Sequence, residues 1–407
     1  MHGATTDRLH TLDTLRGLAV LGILVMNIQT FAMPMAAYVN PTAWGNMTGT
    51  DGLVWYVSHL LTDQKMMTLF SLLFGAGIAL FTDRAAQKAG SPTALHYRRN
   101  AWLLLFGAVH AYLLWYGDVL FIYAVCAFVI YPLRNIRPAR LLALGLGFLL
   151  ISSLIFVFFG LSLPQWPEEI VTEMIDESWR PSADVLATEI AAYQGGWMAQ
   201  MEHRVPAALE MHTFMMPIWA FWRAAGLMLI GIALYRLGVI TGQAADRTYW
   251  LILFFGLPGL LLVAWGIHWN FSREWPLESL FLGWQFNYWG SLPVAMAWMA
   301  AIMLLMRHDY LPGLTRRLGA VGRMAFSNYI LHTLICGLIF YGHGLGLFAE
   351  LSRSVQILIV FTIWGFQLWL SPVWLKHFRF GPLEWLWRSL TYGSKEAFKV
   401  EKKPAAS

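Results

Sequence analysis

A chain of 407 residues that is 58% hydrophobic and 13% charged, with 21 Trp and 26 Phe, carries more apolar surface than one water-soluble core can hide, since soluble domains are about one-quarter charged. Its formal charge of +5 does not call for nucleic acid, because membrane chains gather Lys and Arg on the cytoplasmic side. Cys126 and Cys336 both sit in apolar runs, which excludes a disulfide framework and leaves each as a buried small residue.

Apolar runs of roughly 18–22 residues recur along the chain and predict an all-α, polytopic integral membrane protein of about ten spans. The N-terminus lacks a basic region, a short apolar run and a small-residue cleavage site, so the first span is expected to stay in the mature protein. Span 1, at 13–33, carries Asp13, Arg16 and Asn27. Arg16 and Asn27 are eleven residues apart, three turns plus about 20°, so both lie on one face roughly 16 Å apart. Asp13 falls about 40° from Asn27 on the same wheel. The stripe therefore runs from a cytoplasmic ion pair to an amide expected near mid-depth. It reads either as a structural lock or as the wall of a polar cavity.

Span 2 is expected at 64–82. Spans 3 and 4, at 101–117 and 119–133, form a hairpin closed at 117–118. Span 3 places His110 near mid-depth, with Arg98 and Arg99 at its cytoplasmic start and Asp118 at its outer end. A neutral imidazole beside a carboxylate is a competent general base. Span 5 is at 140–161. The stretch 162–212 is an acidic loop with helical periodicity over 167–178 and 183–201, and Ser182 caps the second. Span 6, at 213–235, contains Arg223, which must pair with something at that depth. Spans 7 and 8 are at 249–267 and 287–306. Span 9, at 324–342, opens GRMAFSNYILHTL and puts Asn328 and His332 on one face at i, i+4, with Ser327 and Thr333 beside them. Span 10 is at 355–375.

Beyond it, GPLEWLWRSLTYG at 381–393 reads as a cytoplasmic interfacial helix begun by Pro382, with Trp385 and Trp387 at the interface. The tail KVEKKPAAS is expected to be disordered. The organisation is thus an N-terminal bundle over 1–161, the loop 162–212, a C-terminal bundle over 213–378 and a cytoplasmic segment over 379–407. His59, Asp63, Lys65, His212, His268 and His343 fall at the outer mouth and read as interfacial. No metal site of standard spacing is present, nor a phosphate loop or nucleophile elbow.

With both termini cytoplasmic, 22 of the 28 basic residues lie inside and five outside, and the opposite orientation inverts this bias. A multi-pass membrane location follows for a chain of this kind.

RLHTLDTLRGLAVLGILVMNIQTF at 8–31 resembles the start of the YeiB-like family of bacterial membrane proteins. So do FSLLFGAGIALF at 70–81, RRNAWLLLFGAVHAYLLWYGDVLFIYA at 98–124 and GRMAFSNYILHTLICGLIF at 322–340. FGPLEWLWRSLTYG at 380–393 looks like that family's closing signature. More distantly, LDTLRG followed by a polar residue in the same helix resembles the transmembrane acyltransferases. These include the acyltransferase-three family and the lysosomal heparan glucosaminide acetyltransferase. In the acyltransferase-three family an Arg is followed after ten residues by a His regarded as catalytic. Arg16 holds the Arg position here, and Asn27 stands in place of the His. The heparan enzyme has Asn there too and supplies its His shortly afterwards; the next His in this chain is His59.

This resemblance implies a membrane-embedded acyltransferase. A cytoplasmic donor such as acyl-CoA would lie near Arg16, Arg98 and Arg99, as a co-substrate rather than a bound cofactor. The acceptor would be an envelope glycan, lipid or small molecule. His110 or His332 would serve as base, and Asn27 would orient the acceptor or hold the oxyanion. The same polar residues, with Asp13, Asp118, Arg223 and Asn328, equally suit the pathway of a transporter for a small or amphipathic solute. A non-catalytic envelope protein is the third reading.

Overall fold

The computed structural model describes residues 2–87 and 91–400, with side chains from His10 onward. Lys88, Lys402 and Lys403, counted above for orientation, lie outside the described residues, as do the side chain of Arg8 and the tail from 401. Among the described residues the chain is helical, with no strand beyond an isolated bridge between Phe378 and Lys399. That bridge, and the Val400 N–H bond to the His377 carbonyl, order the start of the tail expected to be disordered.

Helix α1 (His2–Ala32) ends just before Pro34, which cannot continue it. The short turn α2 (Ala36–Val39) follows, then α3 (Gly49–Leu61) and α4 (Lys65–Ala86). The hairpin is α5 (Pro92–Val109), a π turn His110–Leu114, and α6 (Leu120–Ile130). Then come α7 (Pro138–Ser162), α8 (Glu168–Met174), α9 (Ala183–Gln194) and α10 (Trp197–Glu210). A π stretch over Met211–Ala220 leads into α11 (Phe221–Arg236). The chain finishes with α12 (Asp246–Ser272), α13 (Trp284–Arg307), α14 (Pro312–Arg323), α15 (Ala325–Phe340), α16 (Arg353–His377) and α17 (Pro382–Tyr392).

Seven helical stretches among the described residues are long and apolar enough to cross a membrane, or eight if α14 and α15, bent by 83°, form one broken span. This is fewer than the ten expected. The hairpin accounts for most of the difference. Gly117 and Asp118 interrupt it, and α6 is only 11 residues, about 16 Å against a hydrocarbon core of roughly 30 Å. Helix α3 was not expected, because Asp51 and His59 break up its apolar pattern.

Close backbone approaches set the bundle. At the crossing of α1 and α14, a Cβ on Gly17 would fall 2.0 Å from the Leu318 carbonyl oxygen, and one on Gly322 would fall 1.7 Å from that of Asp13. At the crossing of α4 and α11, Gly75 and Gly231 meet the carbonyls of Met228 and Leu72 in the same way. Small residues are what allow membrane helices to come this close. The loop 162–212 folds back over the end of the bundle at which α1 finishes. Ser182 caps α9 by accepting from the Val185 N–H at 3.4 Å. The Glu189 carboxylate takes the Met35 N–H at 3.0 Å, and Asn40 donates to the Trp179 carbonyl at 3.0 Å.

Candidate functional site

Asn27 lies five residues, about 8 Å, from the C-terminal end of α1. It opens onto a cavity walled by α1, by the turn between α3 and α4, and by α12 and α13. Tyr38, Trp55, Trp219, Trp275 and Trp284 supply aromatic surface to it, and His59, Asp63, Gln64, Asn270 and Asn287 supply polar groups.

His59 and Asp63 sit one turn apart on the helix end and meet there, Nδ1 to Oδ2 at 3.0 Å. The His59 ring stacks on Trp55 at 4.8 Å between centroids. Asp63 also accepts from Asn287 at 2.7 Å and from the Tyr38 hydroxyl at 3.4 Å. The Asn287 amide oxygen in turn accepts from the Lys65 ammonium at 2.5 Å. A carboxylate fed by these donors holds the proton of His59 on Nδ1, leaving Nε2 as the basic nitrogen. Among the described residues Nε2 has no partner. Arg223 lies behind this group, donating to Thr68 at 3.0 Å and Ser291 at 2.7 Å and lying over the Tyr288 ring at 4.4 Å.

His110 and His332 stand elsewhere. His110 bonds Asp118 through Nδ1 at 2.7 Å and the Thr333 hydroxyl through Nε2 at 2.9 Å, and is 1% exposed. Asp118 also caps α6, accepting the Phe121 N–H at 2.7 Å. Both imidazole nitrogens are thus engaged, and the triplet ties the hairpin turn to α15. His332, the residue beside Thr333, turns to α16 and bonds Gln367 at 2.8 Å. Gln367 donates to the Asn328 carbonyl, and the Asn328 amide donates to Ser371 and to the Val321 carbonyl. Neither His110 nor His332 lines the Asn27 cavity, although Val119, next to Asp118, does.

The N-terminal end of α1 carries a second constellation. Asp13 and Arg16 pair at 2.8 Å, and Arg323 of α14 acts on the same carboxylate. Arg99 lies between the Phe81 ring at 4.7 Å and the Trp387 ring at 4.3 Å, within electrostatic reach of Arg16 and Arg388. The Trp387 indole donates to the Arg99 carbonyl at 2.8 Å. Arg98 is exposed beside Gly393. Helix α17 is pinned over this cluster by Glu384, which accepts from the Phe326 and Ser327 N–H groups and from the Ser327 hydroxyl at the start of α15. Arg16, Arg98 and Arg99 therefore share one face of the molecule, and Asn27 belongs to the other.

Residues 234–394 match the family described as "Protein of unknown function (DUF418)". Over its length the chain is 32% identical to "Uncharacterized protein YeiB" of Escherichia coli (strain K12), covering 95% of this chain and 96% of that one. The chain belongs to the YeiB-like family. It is also 29% identical to "Uncharacterized protein YxaH" of Bacillus subtilis (strain 168), over 95% of each chain. A 39.9 kDa protein encoded in the amylase 3' region of Bacillus acidopullulyticus is 25% identical over 98% of each. No solved structure matches.

In this YeiB-like chain sequence reasoning reads His59, Asp63 and Lys65 as interfacial and does not single out Asn287; the structure brings the four together. The i, i+4 spacing of His59 and Asp63 is visible in the sequence. Their enclosure is not, because Asn287 reaches Asp63 from 224 residues away.

Proposed function

We propose that this YeiB-like protein is an acyltransferase of the bacterial cytoplasmic membrane, moving an acyl group from a cytoplasmic donor such as acyl-CoA to a hydroxyl or amine acceptor that enters from the outer face. The observation that carries the reading is the His59–Asp63 pair in the same cavity as Asn27, on a helix whose other end holds an arginine cluster.

In this reading His59 Nε2 takes the acceptor's proton while Asp63 steadies the resulting imidazolium. The acceptor oxygen or nitrogen attacks the thioester carbonyl, and the Asn27 amide donates to the oxyanion that forms. Collapse breaks the carbon–sulfur bond, and the departing CoA thiolate recovers the proton from His59. Arg16, Arg98 and Arg99 bind the donor's phosphates. The deepest α1 residue of the cavity wall is Ile23, about 10 Å short of Arg16. Met66 fills the intervening space against Gly22. The acyl arm must therefore displace this flexible side chain to reach Asn27.

The test is release of free CoA from labelled acetyl-CoA by the purified protein with envelope fractions as acceptor. His59→Gln should lower kcat by about 10²–10⁴-fold. Absence of CoA release with every fraction defeats the reading.

The buried Asp63, Lys65 and Arg223 also favour a second reading, a proton-coupled transporter, since intramembrane charges mark ion pathways. Solute flux in proteoliposomes with no acyl donor would establish it.

A further inference from the structure

Four side-chain polar atoms of the outer cavity's wall residues are buried with no hydrogen-bond partner among the described residues. They are the amide oxygens of Gln64 and Asn270 and the indole N–H groups of Trp219 and Trp275. They come from three separate pieces of chain: the turn before α4, the π stretch before α11, and the end of α12 with the turn that follows it. Buried polar atoms are normally satisfied, and a cluster of exceptions in one cavity asks for an occupant.

Two of the four also sit on uncommon backbone. Gln64 has φ +59° and Trp275 has φ +52°, left-handed values that non-glycine residues rarely adopt. Such strain gathers at ligand sites, where the surrounding structure holds it. The Trp275 carbonyl accepts from the Trp179 indole at 3.0 Å and from Arg180, which fixes the loop. Gly283 leaves the space the Asn270 amide occupies, since a Cβ there would lie 2.1 Å from its oxygen.

The unmet needs are two acceptors and two donors, all neutral, set among indole faces. A hydrophobic acyl chain would leave all four unmet. A quaternary cation suits aromatic walls, but Asp63 is already held by His59, Asn287 and Tyr38, and Lys65 and Arg223 stand near it. An anion finds Lys65 already committed to Asn287 and the His59 carbonyl. A hydroxyl both donates and accepts, and a ring bearing several hydroxyls can offer an apolar face to an indole while its rim bonds amides and indole N–H groups.

We infer that the outer cavity is a saccharide site, with Gln64 and Asn270 accepting from sugar hydroxyls, Trp219 and Trp275 donating to them, and the indole faces packing on the ring. Its assignment as the acceptor's site rests on the acyl-transfer reading; the binding itself does not.

The experiment is saturation-transfer NMR on the full-length protein in nanodiscs with no acyl donor present. The probes are methyl β-glucoside, N-acetylglucosamine, maltose, choline and hexanoate. At least one sugar should receive saturation on its ring protons, while choline and hexanoate should not. Trp275→Phe, which keeps an aromatic ring but removes the indole N–H, and Asn270→Ala should each weaken the sugar signal several-fold. Gly283→Ala, which displaces the Asn270 amide, should weaken it similarly. Choline or hexanoate saturating in place of every sugar overturns the inference. So does a sugar signal indifferent to all three substitutions. Sugar binding that depends on Asn270 in a protein that never releases CoA would uphold the site and remove the transferase reading.

Discussion

An imidazole with one nitrogen on a carboxylate has one nitrogen left, and what that nitrogen meets separates His59 from His110. His59 keeps Nε2 for the cavity, whereas His110 spends it on Thr333. His110→Ala should therefore act on stability. It strands the buried Asp118 and Thr333 and should cost about 1–3 kcal/mol, read as a lower apparent melting temperature in detergent. Combined with Asp118→Ala the two losses should fall well short of additive. Additive losses would mean the pair is not coupled. The His110–Asp118 partnership was legible because only a hairpin turn separates the two residues. The His59 site was not, since its meaning lies in Asn270 and Asn287, which approach from distant helices. Nothing in a one-dimensional reading distinguishes a histidine at an interface from one facing a lined cavity.

At the scale of elements, the spans that were clearest in the sequence are those with unbroken apolar runs, such as α7, α12, α13 and α16. Helix α3 escaped notice in part for the reason that makes it useful: His59, one of the polar residues that dilute its hydropathy, faces the cavity, as does Asp63 just beyond its end. The loop helix α9 shows a different logic. Burial pushes the Glu189 carboxyl up from 4.5 to about 7, with the Met35 N–H pulling the other way. A raised carboxyl favours the folded state when protonated, so its contribution is complete below about pH 4.5 and is lost as pH rises through about 7. Hydrogen exchange at the Met35 amide, corrected for intrinsic rates, should therefore accelerate across that window. Glu189→Gln should flatten the dependence, and a dependence that survives this substitution would assign it to another group. Helix α17 was expected at the interface, and the structure shows what fixes it to the bundle: Glu384 caps α15, and Trp387 covers Arg99.

For the whole molecule, the charge bias and the position of the two constellations make one statement. Arginines gather at the N-terminal end of α1, and a histidine–aspartate pair sits in a cavity near its C-terminal end. Cysteine labelling checks the orientation, because Cys126 and Cys336 are both buried. A cysteine at Asp184, exposed on α9, should react with an impermeant maleimide in intact cells. One at Ser394, exposed after α17, should react only after permeabilisation. The central claim is that acyl transfer takes place across the bundle, from the arginine end to the His59 cavity. Sealed inside-out vesicles test it most directly, with labelled acetyl-CoA supplied to the exposed cytoplasmic face and acceptor confined to the lumen. Acylated product should accumulate in the lumen while free CoA stays outside, and Asp63→Asn should abolish both. Product formed only when donor and acceptor share one face, or formed equally well by Asp63→Asn, would contradict the account.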